Sequence, residues 1–123
     1  MRRDLQERLF NFSVDVLKYI KTLPDTPEYR TIRHQLSKSS TSSGANYEEA
    51  QAASSKKDFI NKVRISLKEM RESNYWLRIL KALNTNSKIG EIVHKLEKES
   101  VELKNILGAI VANAVSNIKQ NEK

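Results

Sequence analysis

Apolar residues recur along this chain at steps of three and four, and the recurrence breaks three times. Leu5, Leu9, Phe12, Val16, Tyr19 and Leu23 step 4, 3, 4, 3, 4. That is a heptad seam, one face of an α-helix that packs on a partner at a shallow angle. It predicts a first helix over residues 4–21. A second stripe, Phe10, Val14, Leu17 and Ile20, either covers the edge of the core or meets another subunit. The first break, residues 22–28, holds Pro24 and Pro27, which cannot continue the preceding hydrogen-bond ladder. Thr26 is placed as an N-cap, Pro27 at the first helical position and Glu28 beside the positive helix end. A second helix is expected over 27–53. Ser54 and Ser55 make the second break, and Ser55 with Asp58 forms a loose capping box.

Phe59, Val63, Ser66, Met70, Ser73, Leu77 and Leu80 step 4, 3, 4, 3, 4, 3 and predict a third helix over 56–83. Residues 84–87 (Asn-Thr-Asn-Ser) are the third turn, with Asn86 or Ser87 as the next cap. Ile89, Val93, Leu96, Ser100, Leu103, Leu107, Ile110 and Ala114 form the inner seam of a fourth helix, expected over 88–118. Val111, Val115 and Ile118 belong to a second stripe and are the candidate oligomer interface, since little chain remains to cover them. Four long helices with short turns read as one all-α domain over 1–123, an up-down antiparallel four-helix bundle.

The run from Ser37 to Ser43 interrupts this picture only in composition. Ser and Thr compete for backbone hydrogen bonds and weaken helices, so alone the run looks like a linker. Its flanks carry the helical step through it: Tyr29, Ile32 and Leu36 lead to Ser39 or Ser40, Ser43, Tyr47, Ala50 and Ala53. The reading is a helix with a small-residue seam. Ser66 and Ser73 repeat the theme on the third helix, so the two helices are expected antiparallel with small faces together.

Charge adds a candidate partner. The net charge is +7, with 22 Lys and Arg against 15 Asp and Glu. Anionic partners are favoured, nucleic acid or an anionic membrane surface, although such charge also keeps a small protein dispersed. The basic residues spread over several helices instead of opposing one apolar stripe, which argues against the membrane. There is no cysteine, so thiolate chemistry and disulfides are excluded, as suits a reducing cytoplasm. No apolar run approaches the roughly 18 residues of a membrane span, and no signal peptide is expected.

The run Ser40-Thr41-Ser42-Ser43-Gly44-Ala45-Asn46-Tyr47-Glu48-Glu49-Ala50 carries a resemblance, with Lys57-Asp58-Phe59, Leu67-Lys68-Glu69, Glu72 and Tyr75-Trp76-Leu77. In order and spacing it resembles the bacterial four-helix-bundle proteins of the 23S rRNA intervening-sequence family, also described as ribosomal-protein-like. A related branch is the accessory protein of diversity-generating retroelements, a basic pentamer that works with RNA and a reverse transcriptase. The resemblance covers nearly the whole chain. It implies a homopentamer with no known catalysis, and no cofactor is expected; five copies would carry a net charge of about +35, five times +7.

Arg30, Arg33, Lys38, Lys57, Lys62, Arg64 and Lys68 are the candidate phosphate contacts. Ser40, Ser43, Asn46, Glu49, Glu69, Glu72 and Trp76 are assigned to the helix seam. Glu69 and Glu72 share a helix face, which also fits a paired-carboxylate acid/base site, but bonding to Ser, Asn and Arg across the second and third helices is favoured. Tyr75 and Trp76 read as packing, with base stacking the alternative. A di-iron bundle needs two Glu-x-x-His pairs, and only Glu91 with His94 fits, so no metal is expected. The functional expectation is a non-catalytic, cytoplasmic, oligomeric bundle that binds RNA or another nucleic acid. The alternative is a structural or adaptor oligomer that docks a protein such as a reverse transcriptase.

Overall fold

The structure is a computed structural model that describes residues 2–84 and 87–121, with the side chains of Arg2, Arg3, Ser87 and Ile89 outside the description. Asn86, one of the two expected caps, therefore lies outside the described residues, as do the side chains of Ser87, the other, and of Ile89 in the inner seam. Among those residues there are four helices and no strand: α1 (Arg2–Ile20), α2 (Pro27–Ala50), α3 (Lys56–Leu83) and α4 (Ser87–Asn121). Each helix packs on its neighbours in sequence, and α4 closes the ring on α1. Ser13 meets Ser40 while Arg33 reaches Ile20, so α1 and α2 run antiparallel. Ser43 meets Ser66 while Ser39 meets Ser73, which sets α3 antiparallel to α2. The result is an up-down four-helix bundle.

The heptad seams are the core. Leu5, Leu9, Phe12, Val16, Tyr19 and Leu23 are all buried, as are Val63, Met70, Leu77, Leu80, Val93, Leu96, Leu103 and Leu107. The second α1 stripe divides. Ile20 is buried and Val14 half-buried, whereas Phe10 and Leu17 stand exposed.

Helix ends follow local chemistry. Thr26 adopts an extended backbone and its hydroxyl accepts from the Tyr29 amide, with Pro27 opening α2. Ser55 caps α3 by accepting from the Asp58 amide at 3.0 Å. The Asp58 carboxylate does not return to Ser55; it accepts from the Ser54 amide at 3.0 Å, one residue earlier. α2 stops at Ala50, three residues short of the expected Ala53, because the amides of Gln51, Ala52 and Ala53 each turn back to a carbonyl three residues before. That tightened turn satisfies carbonyls the α-helix would leave open. At the far end of the bundle, Arg33 closes α1. Its Nε donates to the Ile20 carbonyl at 3.2 Å and Nη2 to Leu23 at 2.9 Å. Cations are favoured at this negative helix end.

The serine run is helical throughout; Ser37, Ser40 and Thr41 bond back to carbonyls of α2 itself, while Ser39 and Ser43 reach across to α3. Ser43 Oγ donates to the Ser66 carbonyl at 2.8 Å, and Ser66 Oγ donates back to the Ser43 carbonyl at 2.7 Å. Ser39 and Ser73 share a hydroxyl–hydroxyl bond of 2.7 Å. All four are fully buried. Elsewhere Ser13 Oγ donates to the Ser40 carbonyl at 2.9 Å, and Asn74 Nδ2 to Ser100 Oγ at 2.9 Å. Three helix contacts are thus pinned by a short polar side chain. The fourth, α1 with α4, carries a two-pronged ion pair from Arg8 to Glu99 at 2.6 and 3.1 Å.

Two predictions test this core. Ser66→Leu forces a branched side chain where a hydroxyl touches a neighbouring backbone and removes the donor to the Ser43 carbonyl, so it should cost about 1–3 kcal/mol in urea unfolding. Ser66→Ala keeps the close approach and should cost less. The second concerns Tyr19, buried with its phenol oxygen unpartnered among the described residues. Burial, then the nearby Tyr29, pushes its pKa up to about 12. The unfolded phenol ionises near 10, so the Tyr19 contribution is intact below about pH 10 and is lost as pH rises from there through about 12. Tyr19→Phe should match the parent at neutral pH and lose on the order of 2–3 kcal/mol less over that alkaline window, measured by denaturant midpoints.

Candidate nucleic-acid interface

The surface of α3 carries a face that mirrors its buried seam. Lys57, Asn61, Arg64, Lys68, Arg71, Tyr75 and Arg78 step 4, 3, 4, 3, 4, 3, and all are exposed. Residues at this spacing share one side of a helix. From Lys57 to Arg78 the face runs roughly 31 Å along the helix axis. It holds five cations and no carboxylate. Of the acidic residues of α3, Asp58 and Glu69 rotate toward the side of Ser66 and Ser73, while Glu72, one turn after Lys68, lies at the border of the face. Near the first turn of α3 the face borders a groove of about 360 Å³ against α4, where Lys57, Arg64 and Lys119 rim an apolar floor of Ile60, Val115 and Ile118.

The seven candidate phosphate contacts separate into two groups. Arg33 is committed to the end of α1. Lys62 holds both Asp58 oxygens at 2.8 Å, and this ammonium, with the Ser54 amide, keeps the Asp58 carboxyl below the usual carboxylate range. Arg30 meets Asp25 at 3.3 Å in an exposed pair of small energetic weight. Lys38, Lys57, Arg64 and Lys68 are exposed and make no ion pair among the described residues. Three of these four lie on the α3 face, and Lys38 stands on α2. Arg71, Tyr75 and Arg78 complete the face. The polar heptad running out of phase with the apolar one was the signal for them.

Tyr75 is half-exposed in the middle of these charges. Its ring meets Trp76 edge-on, with centroids 5.2 Å apart and planes at 72°, and the Arg78 guanidinium lies 5.7 Å from its centroid. Trp76 is half-buried against the core, and its indole N–H is buried with no hydrogen-bond partner among the described residues.

The seam residues behave differently from one another. Ser43 bridges to α3, and the Ser40 carbonyl receives Ser13. Asn46 does not cross the seam in its recorded bonds: Nδ2 donates to the Ser42 carbonyl at 2.8 Å, within α2. Glu49 is exposed. Glu69 and Glu72 are half-buried and make no hydrogen bond or ion pair with described residues. Glu91 and His94 are both exposed. Among the described residues, no three His, Cys, Asp or Glu side chains gather closely enough to hold a metal ion.

Two apolar surfaces remain. Val111 packs against the core, while Val115 and Ile118 are half-buried in the groove against α3. Phe10, Val14 and Leu17 line a second groove of about 370 Å³, whose other wall is Thr41, Gly44 and Ala45 of α2. Phe10 is 63% exposed, the most of any large apolar side chain among the described residues. No described helix is long and apolar enough to cross a membrane.

No curated protein matches the sequence. A solved structure from Bacteroides thetaiotaomicron, a protein of unknown function from the S23 ribosomal protein family, superposes with a TM-score of 0.76. It is 32% identical, and the match covers 87% of this chain and 97% of that one. A sequence model of the family described as 23S rRNA-intervening sequence protein matches residues 3–109, from the start of α1 to just short of Val111. The chain belongs to the 23S rRNA-intervening sequence protein family.

Proposed function

We propose that this protein is a non-catalytic, cytoplasmic RNA-binding bundle that grips phosphates along the exposed face of α3. The observation that supports this reading is the row of five cations, Lys57, Arg64, Lys68, Arg71 and Arg78, that share one face of a single helix and make no ion pair among the described residues. A rigid row matches a polyanion because its charges need no rearrangement to meet successive phosphates. Such contacts position the nucleic acid without reading its sequence.

The reading extends to a homo-oligomer, a pentamer by family resemblance, which would repeat the face around a ring. The surface that favours self-association is the α1–α2 groove. It offers both a knob, Phe10, and a shallow floor at Gly44 and Ala45, so one copy's Phe10 can seat against the next. This moves the proposed interface from Val111, Val115 and Ile118, which the chain itself partly covers. The second reading, an adaptor oligomer that docks a reverse transcriptase and leaves RNA alone, is favoured by the same apolar groove.

Two measurements decide. Five phosphate contacts on a single strand predict a log–log salt slope of roughly −3.5 per engaged subunit, about a hundredfold loss between 50 and 200 mM salt. Reversing Arg64, Lys68 and Arg71 to Glu should abolish most binding in a filter assay, while Lys62→Glu should matter less because Lys62 already serves Asp58. Equal retention by the triple variant would remove the α3 face from the account. For assembly, Phe10→Glu with Leu17→Glu should lower particle mass by light scattering. Unchanged mass, with loss on Val115→Glu and Ile118→Glu, would return the interface to α4.

A further inference from the structure

We propose that Tyr75 stacks on an unpaired base of single-stranded RNA and gives the α3 face a preference for single strands over duplex. This rests on the phosphate reading above and adds what phosphate contacts lack, a means of telling the two forms apart.

Position is the first argument. Tyr75 follows Arg71 by one turn and precedes Arg78 by about one turn on the same face. A strand held at both cations passes its nucleotides across the ring between them. Orientation is the second. A free surface tyrosine loses side-chain freedom when it stacks, but this ring is already held. Trp76 touches it edge-on, and Trp76 is itself packed on the core. Arg78 lies against the same ring at 5.7 Å. The cost of ordering is therefore reduced before ligand arrives. The residue as a whole remains half-exposed.

The third argument is what each form of RNA offers. In an A-form duplex the bases are stacked on each other and the major groove is too deep and narrow for side chains to enter. A phenol on a helix surface then meets only backbone. Single strands present π-faces, and alternating cations with aromatic rings is the general pattern by which proteins hold them. The Arg78 guanidinium is itself planar and can share the base as a second stacking surface.

The test uses the full chain, a single-stranded RNA of a dozen nucleotides and a duplex of equal length, with binding read by fluorescence anisotropy. Tyr75→Ala should weaken single-strand binding roughly tenfold or more and leave duplex binding within about twofold. Tyr75→Phe keeps the ring and should bind as the parent does. A 2-aminopurine placed in the strand should be quenched by the parent and by Tyr75→Phe, and not by Tyr75→Ala. Tyr75 is exposed, so helix content by circular dichroism should stay constant across the set. Equal weakening of both substrates by Tyr75→Ala, or no weakening of either, would overturn the stacking role while a steep salt slope keeps the phosphate reading intact. Absence of salt-dependent binding by the parent would overturn both.

Discussion

The close approach of α2 and α3 through the Ser43–Ser66 pair is the constraint on which the bundle depends. Each hydroxyl donates to the other residue's main-chain carbonyl, so the two backbones meet at the distance of a serine side chain. A larger residue at either position would push the helices apart. A smaller one would leave a buried carbonyl short of a donor. Of the hydroxyls in this serine-rich helix, Ser37, Ser40 and Thr41 bond α2's own carbonyls, and it is Ser43 and Ser39 that tie the helix to its neighbour. Ser13 against α2 and Ser100 beneath Asn74 apply the same device at two further contacts.

That constraint sets the outer surface as well. With Ser66 and Ser73 turned into α2 and Asn74 turned toward α4, the rotation of α3 is fixed. Lys57, Arg64, Lys68, Arg71 and Arg78 must then face solvent together, while Asp58 and Glu69 are carried to the α2 flank and Glu72 to the border between them. The separation of cations from carboxylates on one helix is thus a consequence of packing. The 28-residue helix, buried along one side, carries the whole row on one continuous element.

The fold was legible because its signal is periodic. Every apolar seam residue of α1 is buried, and the caps at Thr26 and Ser55 lie where Pro27 and Asp58 pointed. What escaped were effects that periodicity does not encode. The end of α2 moved because three amides found carbonyls at shorter range. The charges were harder. Counting cations cannot distinguish Arg33, folded over the end of α1, or Lys62, clasped to Asp58, from Arg64, which is free of ion pairs among described residues. Arg71, Tyr75 and Arg78 were readable as a polar heptad, but only the rotation of α3 shows that they share the face.

The most direct measurement of the central claim is ultraviolet crosslinking of the protein to bound RNA, with the attached peptides identified by mass spectrometry. The account predicts crosslinks concentrated in peptides spanning residues 57–78 of α3, with Tyr75 among the modified positions. Crosslinks confined to α1 or α2, or a crosslinked population that leaves α3 unmodified, would contradict it.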